Sequence, residues 1–482
     1  MDFALQPRAR AFCIAGLLLL ALVPRAIMAW KLDTLCPDAT VYVQQAQTIA
    51  GGTYNSSTMD VHRWLYPSLL ALLHRLGWTW ETAGEVWGVL IATLVVLPLF
   101  DWIRRWACDG LAIVASALYA VHPEFIEWSP ELIRDATFWF FWTVAICFGF
   151  RSKTSTTCIV IACTSSLLAA MFRVEGIFLI GGFVCWHFAI HRQIRPVTIF
   201  AVATGLLFLI ICTFFGTFSR EGPGGLLVLW WQSWFETSAS QPNIGTRLWQ
   251  FADAILSGLH PLYVVLFVVG VWHCRGTRGT LRYSLPLLGS GGLVATGIWI
   301  HLWYAGAIEP RYALSLLLLS LPWMAKGMEV TARLVSKNES QQAFATVALL
   351  VLIGCVGWLD ALTTKYDSRQ GRAALGIWLK NEYGPRLRLA GHRDLQRLVG
   401  FYSQSWERTL PRQMDSPRLE KKLKGISVVL ISSRGSSSGQ AAKMRDQALH
   451  LGYQEVTLPE RVTSLYPGVR MMCRPPILQR GP

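Results

Sequence analysis

The sequence predicts a mostly helical, polytopic membrane protein of about eleven transmembrane helices, followed by a small C-terminal α/β domain. Three observations carry this expectation. Of the 482 residues, 53% are hydrophobic and only 15% charged, against about 25% charged in soluble globular chains. The mean hydropathy is +0.38. Apolar runs recur through residues 1–360, whereas residues 361–482 hold no long one. These values exclude a disordered chain, a collagen-like fibre and an ordinary cytosolic enzyme.

The first run, from Ala11 to Trp30, follows Arg8 and Arg10. Ala26–Ala29 offers a weak signal-peptide cleavage site, but an uncleaved first span anchored by Trp30 and Lys31 is the preferred reading. Further runs lie at about 84–100, 108–123, 135–150, 157–173, 175–190, 196–218, 257–273, 284–304, 311–327 and 342–360. A span takes about 20 residues, so the boundaries of the shorter runs are soft.

Charge orders these runs across a membrane. The expected inner loops hold 14 basic residues, among them Arg104, Arg105, Arg151, Arg275 and Arg333, against five acidic ones, and the outer loops reverse the balance. That asymmetry follows the positive-inside rule. It puts the N-terminus in the cytoplasm and, after an odd number of spans, the tail outside an inner (cytoplasmic) membrane. The net charge of +15 therefore belongs to a membrane protein and implies no nucleic-acid partner. Most of the 11 cysteines lie in apolar runs, and none has metal-cage spacing.

The division expected is a transmembrane domain over residues 1–360, with a first outer loop at 30–83 carrying interfacial helices, and a tail domain over 361–482. The tail has 21 basic and 9 acidic residues. Strand-like stretches lie at Arg386–Ala390 and Ile426–Ser432, and helical patterns near 371–382, 393–403 and 440–451. This alternation predicts a small α/β domain. Its charge suits either anionic lipid headgroups or an anionic glycan or lipid acceptor. The Arg434–Gly439 stretch lacks the spacing of a nucleotide-phosphate loop and reads as a loop.

Chemistry-bearing residues gather on the expected outer face. In the first outer loop Asp38 follows Pro37 and opens a helical pattern through Val41, Tyr42, Gln45, Ala46 and Ile49, closed by Gly51 and Gly52. An Asp at a helix start is by itself an N-cap. A second helix pattern runs from Trp64 to Leu76, with His62 and Arg63 at its entrance and Pro67 in its first turn. Ionisable residues are scarce in the middle of the runs; Arg25, Arg173, Glu175 and Arg311 fall near their ends.

Four strings resemble the GT-C membrane glycosyltransferases, in particular the family of the protein O-mannosyltransferases and the lipid A aminoarabinose transferase. They are Asp38–Tyr42 through Gly51-Gly52 to His62–Pro67, then Ser129–Phe138, then Arg173-Val-Glu175-Gly176, and finally Glu309-Pro-Arg311-Tyr312. The resemblance covers roughly residues 10–330. The chain departs from it at Ala39, where many relatives carry a second acid. The resemblance implies a sugar donor linked to polyprenyl phosphate, transfer outside the membrane with inversion, and a carboxylate as general base. It assigns catalytic roles to Asp38 and Asp135, and donor-phosphate binding to Arg63 and Arg311. Tyr42, Tyr312, Arg173 and Glu175 are supporting residues. The acceptor class, whether lipid, glycan or protein, stays open.

A divalent metal ion is a candidate cofactor, with His62 and His301 as the candidate ligands. Trp230, Trp231, Trp234, Phe235, Trp249 and Phe251 in the loop at about 219–256 suit an aromatic belt or a lid beside a lipid groove. The alternatives are a lipid or glycan transporter or flippase, which would want a continuous polar cavity across the membrane, and a glycan polymerase or ligase.

Overall fold

The computed structural model describes residues 4–52, 64–151, 156–182 (without 174 and 177), 243–275, 278–305, 308–335, 338–363, 367–391, 393–409, 423–432 and 438–474. The runs expected at 196–218 and over most of 175–190 lie outside the described residues, as do His62, Arg63 and Trp230–Phe235. The chain divides into two compact units, residues 1–31 with 45–363, and residues 32–44 with 364–482.

The first unit is helical. Its elements begin with α1 (Pro7–Lys31) and, after α2 (Pro37–Ala50), continue with α3 (Leu65–Arg75), α4 (Trp80–Leu94), α5 (Val96–Trp106), α6 (Asp109–Val121), α7 (Pro123–Trp128), α8 (Asp135–Arg151) and α9 (Thr156–Phe172). Beyond residue 243 come α10 (Ile244–Leu259), α11 (Pro261–Cys274), α12 (Arg278–Ala305), a 3-10 turn (Pro310–Ala313), α13 (Leu314–Val335) and α14 (Glu339–Thr363). Helices suit apolar sequence in lipid because each satisfies its own backbone polar groups.

Among the described residues, four helical stretches are long and apolar enough to cross a membrane, Pro7–Lys31, Trp80–Trp106, Pro310–Val335 and the one containing Glu339–Thr363. A bent pair, α10 and α11, makes a fifth if counted as one span, with 91° between its halves. His260 forms that corner at φ 59°, and Pro261 opens α11, where its missing N–H costs nothing. The runs at 108–123, 135–150 and 157–173 form helices of 13, 17 and 17 residues, so the described helices do not by themselves amount to eleven spans.

Two helices of this unit meet backbone to backbone. A Cβ at Gly270 of α11 would overlap the Trp323 carbonyl, and one at Gly327 of α13 would overlap the Leu266 carbonyl. Small residues permit such approach where lipid offers helices no hydrophobic drive to associate. At the expected inner side the basic residues find carboxylates. Arg104, Arg105 and Arg151 lie 3.0, 2.8 and 2.6 Å from Asp101, and Arg10 lies 2.9 Å from Asp109.

Arg25, expected near a span end, is fully buried. It donates to the carbonyls of Ala120 (3.0 Å) and Tyr119 (3.4 Å), to the Ser129 hydroxyl (3.1 Å) and to Ala21 O (2.7 Å). The first two are among the last carbonyls of α6, where a cation completes unpaired acceptors and opposes the negative end of the helix dipole.

The second unit is an α/β fold. Its elements after α14 are α15 (Asp367–Tyr383), β1 (Arg388–Gly391), α16 (Arg393–Ser403), β2 (Trp406–Thr409), β3 (Val428–Ser432), α17 (Ser438–His450), β4 (Gln454–Val456), α18 (Glu460–Leu465) and β5 (Val469–Cys473). The sheet order is β2-β1-β3-β5-β4. β1 runs parallel to β2 and β3, and β5 runs antiparallel to β3 and β4. Alternate residues of β3 face opposite ways. Val428 and Leu430 pack with Leu375, Leu379, Leu395 and Val399, while Val429 and Ile431 pack with Met444, Ala448 and Tyr453. A strand buried on both faces reads as a continuous apolar run, which is why β3 was legible. β2, β4 and β5 are short or carry charges, and no run announced them.

Candidate functional site

In the first unit, α8, α9 and the 3-10 turn before α13 bring four charged side chains together. Asp135 opens α8, a position that an anion favours, and is 3% exposed. Arg173 follows the last residue of α9. Its Nη1 donates to Asp135 Oδ1. Its Nη2 and Nε donate to Glu175 Oε1 at 2.7 and 3.1 Å. Arg311 lies in the 3-10 turn, with Nη1 3.5 Å from the second Asp135 oxygen and Nε 2.6 Å from Glu309 Oε2. Asp135, Arg173, Glu175 and Arg311 are buried, whereas the Glu309 side chain is 55% exposed. Removing such charges from water is costly, and it is compensated here by mutual pairing.

Aromatic faces complete the cluster. The Arg173 guanidinium sits 4.6 Å from the Tyr312 ring centroid, and that of Arg311 sits 4.8 Å from Trp128 and 5.9 Å from Tyr312. Such contacts hold a planar cation without neutralising it. Trp128 Nε1 in turn donates to Glu124 Oε2 at 2.8 Å. Burial, with Glu127 and Asp360 nearby, pushes the Glu124 carboxyl up to about 7. The turn carrying Arg311 is seated by close backbone approach, because a Cβ on Gly258 of α10 would overlap the Pro310 carbonyl and the Ala313 side chain.

Of the residues expected from sequence, Asp135, Arg173, Glu175, Arg311 and Tyr312 thus share one site. Arg173 and Glu175, taken as supporting, stand at its centre. His301 stacks on Tyr312, with centroids 4.9 Å apart and 25° between planes. No group of three or more His, Cys, Asp or Glu suited to a metal ion occurs among the described residues. Asp135 and Glu175 are engaged by Arg173, and His62 lies outside the described residues. Trp128 was missed, since only its position beneath Arg311 marks it. Trp249 is exposed, and Phe251 packs edge-on to Trp299 at 5.4 Å.

Asp38 and Tyr42 lie in the second unit, on the part of α2 that belongs to it. Pro37 is the first residue of this helix and Asp38 the second. Asp38 is therefore not the N-cap. The backbone N–H of Ala39 points to the Cys36 sulfur at 3.4 Å instead. The Asp38 side chain is 41% exposed, with Oδ1 3.8 Å from Arg397 Nη1. Tyr42, one turn on, is buried. The helix ends as expected, at Gly51 and Gly52, the latter at φ 67°.

No protein-family model matches the sequence, and no curated protein matches it. Solved structures do match in fold. The oligosaccharyltransferase of Archaeoglobus fulgidus aligns over 91% of this chain and 71% of its own, at 12% identity and a TM-score of 0.61. A structure of that protein holds an inhibitory peptide and a dolichol-phosphate. ArnT from Cupriavidus metallidurans aligns over 96% of this chain and 97% of its own, at 13% identity and a TM-score of 0.59. The mycobacterial arabinofuranosyltransferase AftD aligns over 98% of this chain and 42% of its own, at 15% identity and a TM-score of 0.52. The chain has the fold of the GT-C membrane glycosyltransferases, and its apolar helices make it an integral membrane protein.

Proposed function

We propose that this protein is an integral-membrane glycosyltransferase that moves a sugar, with inversion, from a polyprenyl-phosphate carrier to an acceptor hydroxyl on the outer face of an inner membrane. The observation that carries it is the buried Asp135–Arg173–Glu175–Arg311 cluster on a fold shared with proteins of this class. The donor lipid, the membrane and a lipid, glycan or protein acceptor are its partners.

The leaving group in such a reaction is a lipid phosphate, and a fixed cation stabilises the charge that develops on it. Arg311 suits that task. Asp135 and the rings of Trp128 and Tyr312 hold its guanidinium, and Glu309 on its Nε is half exposed. A phosphate oxygen can replace Glu309 with one anion exchanged for another. Asp135 then acts through the arginines, and Asp38 is the general base that takes the acceptor's proton. Arg63 is a second candidate for the phosphate.

The test uses purified protein in nanodiscs, with undecaprenyl-phosphate-linked mannose, arabinofuranose and aminoarabinose as donors and the envelope fraction of a deletion strain as acceptor. At matched folding, Arg311→Ala should raise the donor KM and lower kcat/KM by about 10²-fold, in line with the loss of a charge-assisted contact. Arg311→Lys should recover only part, because a point charge replaces a planar fork. Wild-type kinetics in the alanine variant would leave Arg311 a structural residue. Sidedness has its own measurement. A reporter fused after Pro482 should be active only outside the cytoplasm, and cytoplasmic activity would refute an external tail.

A further inference from the structure

The segment that carries Asp38 is held by the tail. Residues Leu32–Gln44 belong to the same compact unit as the tail. Three side chains on α15 and α16 reach this segment. Gln370 Nε2 donates to Asp33 Oδ2 at 3.1 Å. Tyr402 Oη accepts from the Leu35 backbone N–H at 3.2 Å. Arg397 Nη1 comes to 3.8 Å from Asp38 Oδ1. Two contacts fix the approach to α2, and the third falls on the carboxylate itself.

We infer that the tail domain positions the segment that carries Asp38, with Tyr402 and Gln370 fixing that segment and Arg397 orienting the Asp38 carboxylate. This deepens the reading of Asp38 as general base and rests on it. A base must be an anion held within hydrogen-bond reach of the acceptor's proton, and a misplacement of about 1 Å costs on the order of 10²-fold in rate. A partly exposed ion pair adds little to stability, so the contact acts mainly on where the carboxylate stands. The Asp38 side chain is 41% exposed with the Arg397 guanidinium 3.8 Å from its carboxylate, so the contact orients the group without burying it. Arg397 is a positioning residue and not a catalytic one.

The test uses the full chain in nanodiscs and two readouts. The first is hydrogen exchange of the backbone amides of residues 32–44, which needs no substrate. Tyr402→Phe should speed exchange there by about tenfold and Arg397→Ala by a smaller factor, because an opened local contact frees the segment it held. Exchange in β3 of the tail core should stay unchanged. Unaltered exchange at 32–44 in both variants would overturn the inference. The second readout is transfer from the same three undecaprenyl-phosphate sugars. Arg397→Ala should lower kcat by about 10–10²-fold at an unchanged donor KM, with partial rescue by Arg397→Lys. In an Asp38→Asn background the same change should have no further effect, as expected for two residues acting as one unit. An equal loss in both backgrounds would refute action through Asp38. An Asp38→Asn variant at the wild-type rate would instead remove the base assignment, and the exchange measurement would still decide whether the tail holds the segment.

Discussion

Replacing Asp38 by Asn is expected to lower sugar transfer by about 10²–10⁴-fold, the usual worth of a general base, while the protein inserts and folds normally. An acceptor hydroxyl is a poor nucleophile until its proton is drawn off during attack. Asn keeps the size of the side chain and a hydrogen-bonding oxygen, but it takes no proton near neutral pH. The structure separates this role from capping more sharply than the sequence did. The Cys36 sulfur stands at the cap position, and Asp38 lies within the first turn. The most that Asp38→Ala should remove from stability is its interaction with the helix dipole, about 0.3–1 kcal/mol. Transfer by purified variants at matched folding is the measurement. An Asn variant that keeps most of the wild-type rate would end the catalytic assignment.

Arg173→Met is expected to destabilise the membrane unit by about 3–5 kcal/mol, the usual cost of removing one partner from a buried ion pair. Arg173 pairs with both Asp135 and Glu175, and all three are buried. Without the guanidinium, the buried Asp135 and Glu175 carboxylates both lose a cationic partner. They must take up protons or draw water in, and both routes cost free energy. Neutralising the acids together with the arginine, as Arg173→Met with Asp135→Asn and Glu175→Gln, should recover most of the stability, because no uncompensated charge remains. Transfer should stay lost in the triple variant, since Arg311 keeps only Glu309, on its Nε, and loses the Asp135 carboxylate that holds its Nη1. Unfolding in detergent, followed by tryptophan fluorescence, reads the stability. A wild-type midpoint for Arg173→Met alone would show that the cluster is not a coupled unit.

Much of the local structure was legible in the residues. Pro37 at the start and Gly51-Gly52 at the end framed α2. The helices at 393–403 and 440–451 and the strand at Ile426–Ser432 were found within a few residues. Arg25 does fall toward the end of α1, as expected, but the burial of its side chain was not legible. Only the carbonyls at the end of α6 show what holds it. The capping of α2 was misjudged, since Asp is the common cap and a cysteine sulfur is not.

What the sequence alone determined was the class of molecule, a helical membrane protein, and a shortlist of acids and arginines for its chemistry. Those features are written in composition, in charge asymmetry and in periods of a few residues. Partnership was decided only by the tertiary structure. Asp135 meets Arg173 across 38 residues, and Asp33 and Leu35 meet the tail across 337 and 367. A side chain's local pattern records whether it faces lipid, water or protein, but it does not record which distant helix arrives beside it. That is set by how whole helices pack, by close approaches such as Gly258 against the Pro310–Ala313 turn, and by the requirement that a charge buried by that packing find its opposite.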